Sequence, residues 1–200
     1  VQYTVSLTDT FTSTGAKFFA HQEVMTKLRD GRGQPITCHI MATDICNHSC
    51  AFCSVQARAG DVLPFPDIIG FIDILIKFGL KSCILSGGGN PILYKCKQTG
   101  KNFNNVVDEI HSRGLEIGLI TNGMPLRMFQ VENWANGRHI SNHLRESWGT
   151  VRPETLDKLT WIRISMSGLD HPEREVYVPD IDPAKTTLGF SYVAHDIYNE

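Results

Sequence analysis

Three cysteines within one short stretch are the residues of this sequence best suited to chemistry. Cys46, Cys50 and Cys53 lie at spacings of four and three residues, directly after a strand-like run. A thiolate is a strong ligand for soft metals, so three thiols on one loop can face a common centre. Structural zinc sites and ordinary iron–sulfur clusters use four protein ligands. A set of three can therefore leave one coordination position open for chemistry.

Further glycine and polar clusters follow the other predicted strands. A strand at 81–86 runs into Gly87-Gly88-Gly89-Asn90, and the next strand, at 115–120, ends at Thr121 and Asn122. A fourth strand, at 161–166, contains Ser165. Ligands of parallel α/β sheets and barrels bind at the C-terminal edge of the strands. We therefore expect these clusters and the cysteine loop to share one edge of a sheet.

The elements that must position these clusters alternate strictly between strand and helix. The first strand is predicted at 36–43, helices follow the cysteine loop and the glycine run, and a fifth strand is predicted at 187–194. Such alternation indicates an α/β fold with parallel strands and right-handed crossovers. One helix over 17–30, closed by Gly31, precedes the first strand. We expect an N-terminal extension at 1–35 and a core domain at 36–200.

Composition narrows the class of protein. The 200 residues are 42% apolar and 20% charged, which is typical of a globular domain that does not depend on disulfides. The net charge of −2 gives no indication of nucleic-acid or anionic-membrane binding, and no apolar run is long enough to span a membrane. Three of the six cysteines cluster within eight residues, which favours a metal site in a reducing, cytoplasmic setting.

The motif Cys-x-x-x-Cys-x-x-Cys after a first strand, joined to Gly-Gly-Gly-x-Pro after a second, resembles the radical S-adenosylmethionine (SAM) superfamily. The similarity runs from about residue 36 to residue 194. It implies a partial (β/α)6 TIM-like barrel of parallel strands, here ending after the fifth strand, where the family core usually has six. It also implies a radical SAM enzyme that carries a 4Fe–4S cluster and reductively cleaves SAM to a 5′-deoxyadenosyl radical.

The resemblance also assigns roles to individual residues. Cys46, Cys50 and Cys53 would bind three irons, and SAM would chelate the fourth. The run Gly87–Asn90 would lie at the methionyl amino group of SAM, with Asn90 standing where Glu is common. Phe52 would lie beside the adenine or shield the cluster from water. The remaining polar residues would face the cofactor, with Ser165 at the ribose or the carboxylate; they are Thr121, Asn122 and Ser165.

Several alternatives stay open at this point. The three thiols could belong to a non-catalytic iron–sulfur or zinc-binding module, with His48 or Cys96 as a fourth ligand. Ser165 could instead satisfy neighbouring backbone. The resemblance implies SAM as a partner, together with an electron donor such as flavodoxin or ferredoxin, and leaves the substrate unidentified. Because many chemistries share this fold, the sequence does not identify the substrate.

Overall fold

The computed structural model describes residues 17–123, 126, 151–166 and 178–194, and every structural statement below concerns those residues. Two short helices come first, followed by alternating strands and helices. In chain order the elements are α1 Lys17–Ala20, α2 Gln22–Arg29, β1 Thr37–Ile40, α3 Phe65–Lys77, β2 Ser82–Leu85, the 3₁₀ helix η1 Pro91–Leu93, α4 Phe103–Ser112, β3 Glu116–Thr121, α5 Pro153–Leu156, β4 Trp161–Ser165 and β5 Thr187–Ser191.

The five strands form one open parallel sheet in the order β1-β2-β3-β4-β5. Spatial order follows chain order, so every crossover steps in the same direction around the sheet. Crossovers between parallel strands are almost always right-handed, and a series of them in one direction lets the sheet curve towards a barrel. The predicted α/β fold, a partial barrel of parallel strands, is confirmed.

The core lies between the sheet and the helices. The central strands β2 and β3 are buried along most of their length, as expected for strands covered on both faces. The most deeply buried side chains of the core come from β2, β3, β4 and the helices that pack on them, and they include Ile72, Cys83, Val107, Ile110, Ile117, Leu119 and Ile164. A continuous core of this kind holds the C-terminal ends of the strands in fixed register.

Helix α4 is anchored at its N-terminus by its own polar residues. Asn102 and Asn105 form a reciprocal capping box at its N-terminus, which satisfies backbone N–H groups that the helix leaves unpaired. Asn104, also in the first turn, accepts hydrogen bonds from the Arg152 N–H at 3.0 Å and the Thr155 hydroxyl at 2.8 Å. This buried amide joins α4 to the start of α5.

Two local features differ from the sequence-based expectations. The helix predicted over 17–30 is divided at His21 into α1 and α2, although Gly31 does close it with a φ of 77°. No element was predicted between the glycine run and the following helix, whereas the structure has η1 there, and its three residues and Tyr94 are buried against the core. The start of the proposed extension, 1–16, and the end of the chain lie outside the described residues.

No helix among the described residues is long and apolar enough to cross a membrane.

Candidate functional site

The cysteine loop begins where β1 ends, and its two ends are tied together. Thr43 forms an isolated antiparallel bridge with Val62, and its hydroxyl donates to the Asp61 carbonyl at 3.0 Å. The Asp44 carboxylate accepts from the Ala59 N–H at 2.8 Å. These bonds close the loop at its base, so its position relative to the sheet is set by residues outside the cysteine motif.

Cys46, Cys50 and Cys53 are half-buried and none forms a disulfide. Burial raises the pKa of the Cys46 thiol, and the neighbouring Cys50 and Cys53 act in the same direction. The His48 N–H, which donates to Cys46 Sγ at 3.5 Å, and the charge of Arg58 oppose that rise in pKa. Both of the other thiols therefore act on Cys46. Among the described residues, no three His, Cys, Asp or Glu side chains are already arranged to hold a metal ion.

An arginine from the far end of the loop contacts the last of the three cysteines. Arg58 Nη2 donates to Cys53 Sγ at 3.0 Å, and Arg58 Nη1 donates to the His48 carbonyl at 3.2 Å. The two bonds hold the planar guanidinium in one orientation. The arrangement places a permanent positive charge directly on a sulfur of the cysteine motif.

The glycine run packs against the backbone at the start of the cysteine loop. The Gly89 N–H donates to the Thr43 carbonyl at 2.9 Å, and the Asn90 N–H donates to the Ile45 carbonyl at 2.8 Å. A Cβ at Gly88 would lie 2.7 Å from the Thr43 carbonyl oxygen, and one at Gly89 would overlap the Ile45 carbonyl. Glycine is therefore required here for close backbone approach.

Three asparagines join the cysteine loop, the glycine run and the end of β3. Asn90 is buried; its Nδ2 donates to Asn122 Oδ1 at 2.8 Å and to Asn47 Oδ1 at 3.3 Å. Asn122 Nδ2 also donates to Asn47 Oδ1, at 3.1 Å. On the other side, Asn90 Oδ1 accepts from the Ile92 N–H at 3.2 Å and the Thr121 hydroxyl at 2.9 Å. We call Asn47, Asn90 and Asn122 the amide cluster.

The direction of these hydrogen bonds follows from one backbone group. The Ile92 N–H can only donate, so the Asn90 atom facing it must be the oxygen, which turns the Asn90 NH₂ group towards Asn47 and Asn122. Asn47 then accepts twice through its oxygen. Its own Nδ2 is buried and finds no hydrogen-bond partner in the described part of the chain. The cysteine loop thus carries a buried donor beside Cys46, the first of the three cysteines.

The structure brings most of the predicted site residues to one edge of the sheet. Thr121 and Asn122 are buried at the end of β3 and bond directly to Asn90. Phe52 is half-buried within the cysteine loop. Ser165 ends β4 opposite Ser191 of β5, and no hydrogen bond among the described residues links it to the amide cluster.

Asn47 and Arg58, two residues that connect the cysteine motif to its surroundings, were not predicted from the sequence. Asn47 lies next to Cys46, but a lone amide in a loop carries no signal of its partners. Arg58 lies five residues after Cys53, and nothing in its sequence context predicts that it folds back onto that sulfur. Cys96, considered above as a fourth ligand, is buried and accepts a hydrogen bond from the Phe65 N–H at 3.4 Å.

The parallel sheet, with the cysteine loop and the glycine run at one edge, can be compared with the sequence models of known protein families. The family model of the radical SAM superfamily matches residues 40–144, which is more than half of the chain. The chain belongs to the radical SAM superfamily.

Solved structures that this chain resembles include Streptococcus suis SuiB bound to S-adenosylmethionine, at 16% identity and a TM-score of 0.44. The match covers 77% of this chain and 31% of that one. Another is selenomethionine-substituted BtrN in an open conformation, at 12% identity and a TM-score of 0.43, covering 78% of this chain and 56% of that one. This chain thus spans less than two thirds of either protein. No curated protein matches it.

Proposed function

We propose that this chain is the SAM-activating core of a radical SAM enzyme. The observation that carries the proposal is the convergence of three loops. The cysteine loop, the glycine run and the end of β3 meet at one sheet edge and are joined by the amide cluster. Three thiols free of disulfides fit a 4Fe–4S cluster in donor type and in number, because the fourth iron is then left for SAM.

The residues predicted from the resemblance, apart from Asn90, keep their proposed roles. Cys46, Cys50 and Cys53 hold the cluster, and Phe52 lies beside the adenine of SAM. The glycine run Gly87–Gly89 presents backbone to the methionyl amino group. Thr121, Asn122 and Ser165 complete the proposed cofactor-binding set. The cluster, when bound, supplies the electron that cleaves the carbon–sulfur bond of SAM and yields methionine and a 5′-deoxyadenosyl radical for hydrogen abstraction.

Asn90 contributes to this site chiefly by position. Both lone pairs of its amide oxygen are taken, by the Ile92 N–H and the Thr121 hydroxyl. A direct hydrogen bond from the SAM ammonium to this oxygen would have to replace one of those bonds. Asn90 therefore holds the glycine run against the end of β3, and the glycine backbone is left to face the ligand.

The closed base of the cysteine loop also affects the free energy of metal binding. Because the Thr43–Val62 bridge and the Asp44 carboxylate fix both ends of the loop, metal binding needs to order only the segment between them. A smaller ordering cost leaves more of the metal–thiolate free energy for retention of the cluster. Metal binding would thus order the middle of a loop whose two ends are already anchored.

The direct test is anaerobic reconstitution with iron and sulfide, followed by dithionite and SAM. We expect close to four irons per chain, and 5′-deoxyadenosine as a product. The variants C46A, C50A and C53A should each lose most of the cluster. The matched control is C38A, because Cys38 lies in β1, outside the loop, with its Sγ 3.4 Å from Cys83 Sγ. A fully loaded sample that forms no deoxyadenosine would refute SAM cleavage by this chain.

The same experiment separates the proposed enzyme from a non-catalytic metal-binding module. One zinc per chain retained after anaerobic purification, together with no SAM binding by calorimetry, would favour the module.

The further proposals are a core domain at 36–200 behind an N-terminal extension, an electron donor such as flavodoxin or ferredoxin, an unidentified substrate and a cytoplasmic setting.

A further inference from the structure

Arg58 lies on the sulfur of a cysteine that the proposed function assigns to the cluster. Its Nη2 is 3.0 Å from Cys53 Sγ, within hydrogen-bonding distance for a sulfur acceptor. The same guanidinium is fixed by the His48 carbonyl at 3.2 Å. Arg58 is itself half-buried, and its Nε is buried without a partner in the described residues. The contact is thus partly shielded from water. Charge-assisted hydrogen bonds are stronger in such shielded positions than in water.

Within the described residues, no carboxylate neutralises the charge of Arg58. Among the described residues no carboxylate forms an ion pair with it, whereas Arg113 and Arg152 each pair with an aspartate. The positive charge is also felt at Cys46, where it acts to lower the thiol pKa. Arg58 therefore presents to the cysteine motif a cation that no carboxylate of the described residues compensates.

We propose that Arg58 is a positioning residue that sets the electron affinity of the cluster through an N–H···S hydrogen bond to Cys53. This inference rests on the proposed function, because it requires a cluster bound to the three cysteines. Uptake of one electron from an external one-electron reductant adds one negative charge to the cluster and its thiolates. A fixed cation and a hydrogen bond to a sulfur favour that reduced state and raise the reduction potential.

The test is a redox titration of the reconstituted chain without SAM, followed by electron paramagnetic resonance. In R58Q we expect the ratio of reduced to oxidised cluster at a given poise to fall about tenfold, which is about 59 mV for a one-electron couple. R58K keeps the charge but loses the planar fork, so its ratio should fall by less than that of R58Q. The matched control is R32Q, because Arg32 is exposed and precedes β1, at the opposite edge of the sheet.

The outcomes separate this inference from the proposed function. A wild-type chain that assembles no cluster contradicts the proposed function itself. A wild-type chain and an R58Q variant that both load and titrate at the same potential overturn only the role of Arg58. Loss of the cluster in both R58Q and R58K, with full loading in R32Q, also overturns it, because Arg58 would then hold the loop together without tuning electron affinity.

Discussion

Replacement of Asn90 tests the amide cluster and its hydrogen-bond direction. The N90A variant removes four hydrogen bonds and leaves the buried Ile92 N–H without its acceptor. The bond to Asn47, at 3.3 Å, is long, so we count the other three at about 1 kcal/mol each. We expect N90A to lower the free energy of unfolding by about 3 kcal/mol at every pH at which the chain is folded.

The N90D variant is nearly isosteric and separates the two sides of the side chain. One oxygen of the introduced carboxyl can still accept from Ile92 and Thr121, but the other faces two amide oxygens where Asn90 had donated. The protonated acid can donate there, and the carboxylate cannot. Burial and the facing oxygens therefore raise the folded-state pKa of this carboxyl above its unfolded value of about 3.9.

The sign of the pH dependence follows from that raised pKa. A group whose folded pKa exceeds its unfolded pKa contributes stability that is complete below the unfolded value and is lost as the pH rises through the folded value. N90D should thus be close to wild type at pH 4 and approach N90A towards pH 8. The loss is about 1.4 kcal/mol for each unit by which the pKa is raised.

The assay is urea unfolding of the metal-free, reduced chain from pH 4 to 8, with each variant compared with wild type at the same pH so that other titrations cancel. The control is Q98A, because Gln98 is an exposed amide outside the cluster. A stability difference between N90D and wild type that does not change with pH would refute the deduced hydrogen-bond direction. A loss below about 1 kcal/mol in N90A would show that the amide cluster does not hold the loops together.

Three further predictions concern packing and charge. G89A should cost about 3 kcal/mol or more in urea unfolding, because its Cβ would overlap a backbone carbonyl, whereas G33A meets open space and should be nearly neutral. G118A should cost about 1–3 kcal/mol and change the fluorescence of Trp161, whose ring occupies the space of the new Cβ. Burial alone would raise the pKa of Asp108, but hydrogen bonds from Lys158 and Arg152 outweigh burial and lower it. The stability that Asp108 contributes is therefore complete above about pH 4 and is lost at lower pH. D108N should therefore be less stable than wild type at pH 6 and lose less stability on acidification, as measured by urea midpoints between pH 3 and 6.

These predictions would fail in different ways. Full stability of G89A would mean that the glycine run does not need its close approach to the cysteine loop. An unchanged fluorescence spectrum and stability in G118A would place the tryptophan ring elsewhere. Parallel stability curves for D108N and wild type across the acid range would show that the aspartate contributes no pH-dependent stability.

Much of the fold could be predicted because its determinants are local. The alternation of apolar strands with helical stripes predicted the parallel sheet, and the strand at 161–166 was placed to within one residue of the observed β4. The break at His21 and the burial of η1 were not predicted. Both depend on how neighbouring elements pack, and a segment as short as the one after the glycine run carries no periodic signal of its contacts.

The sequence by itself determined the donor set and its context: three thiols at Cys46, Cys50 and Cys53 after one strand, and a glycine run after the next. Covalent spacing decides which ligands share a loop, so this information is present before folding. Only the tertiary structure decided that Asn90 bonds to Asn47 and Asn122, and that Arg58 returns to Cys53. Hydrogen bonds between separate loops depend on how the strands that carry those loops are aligned and packed. A one-residue shift in strand register would separate the partners.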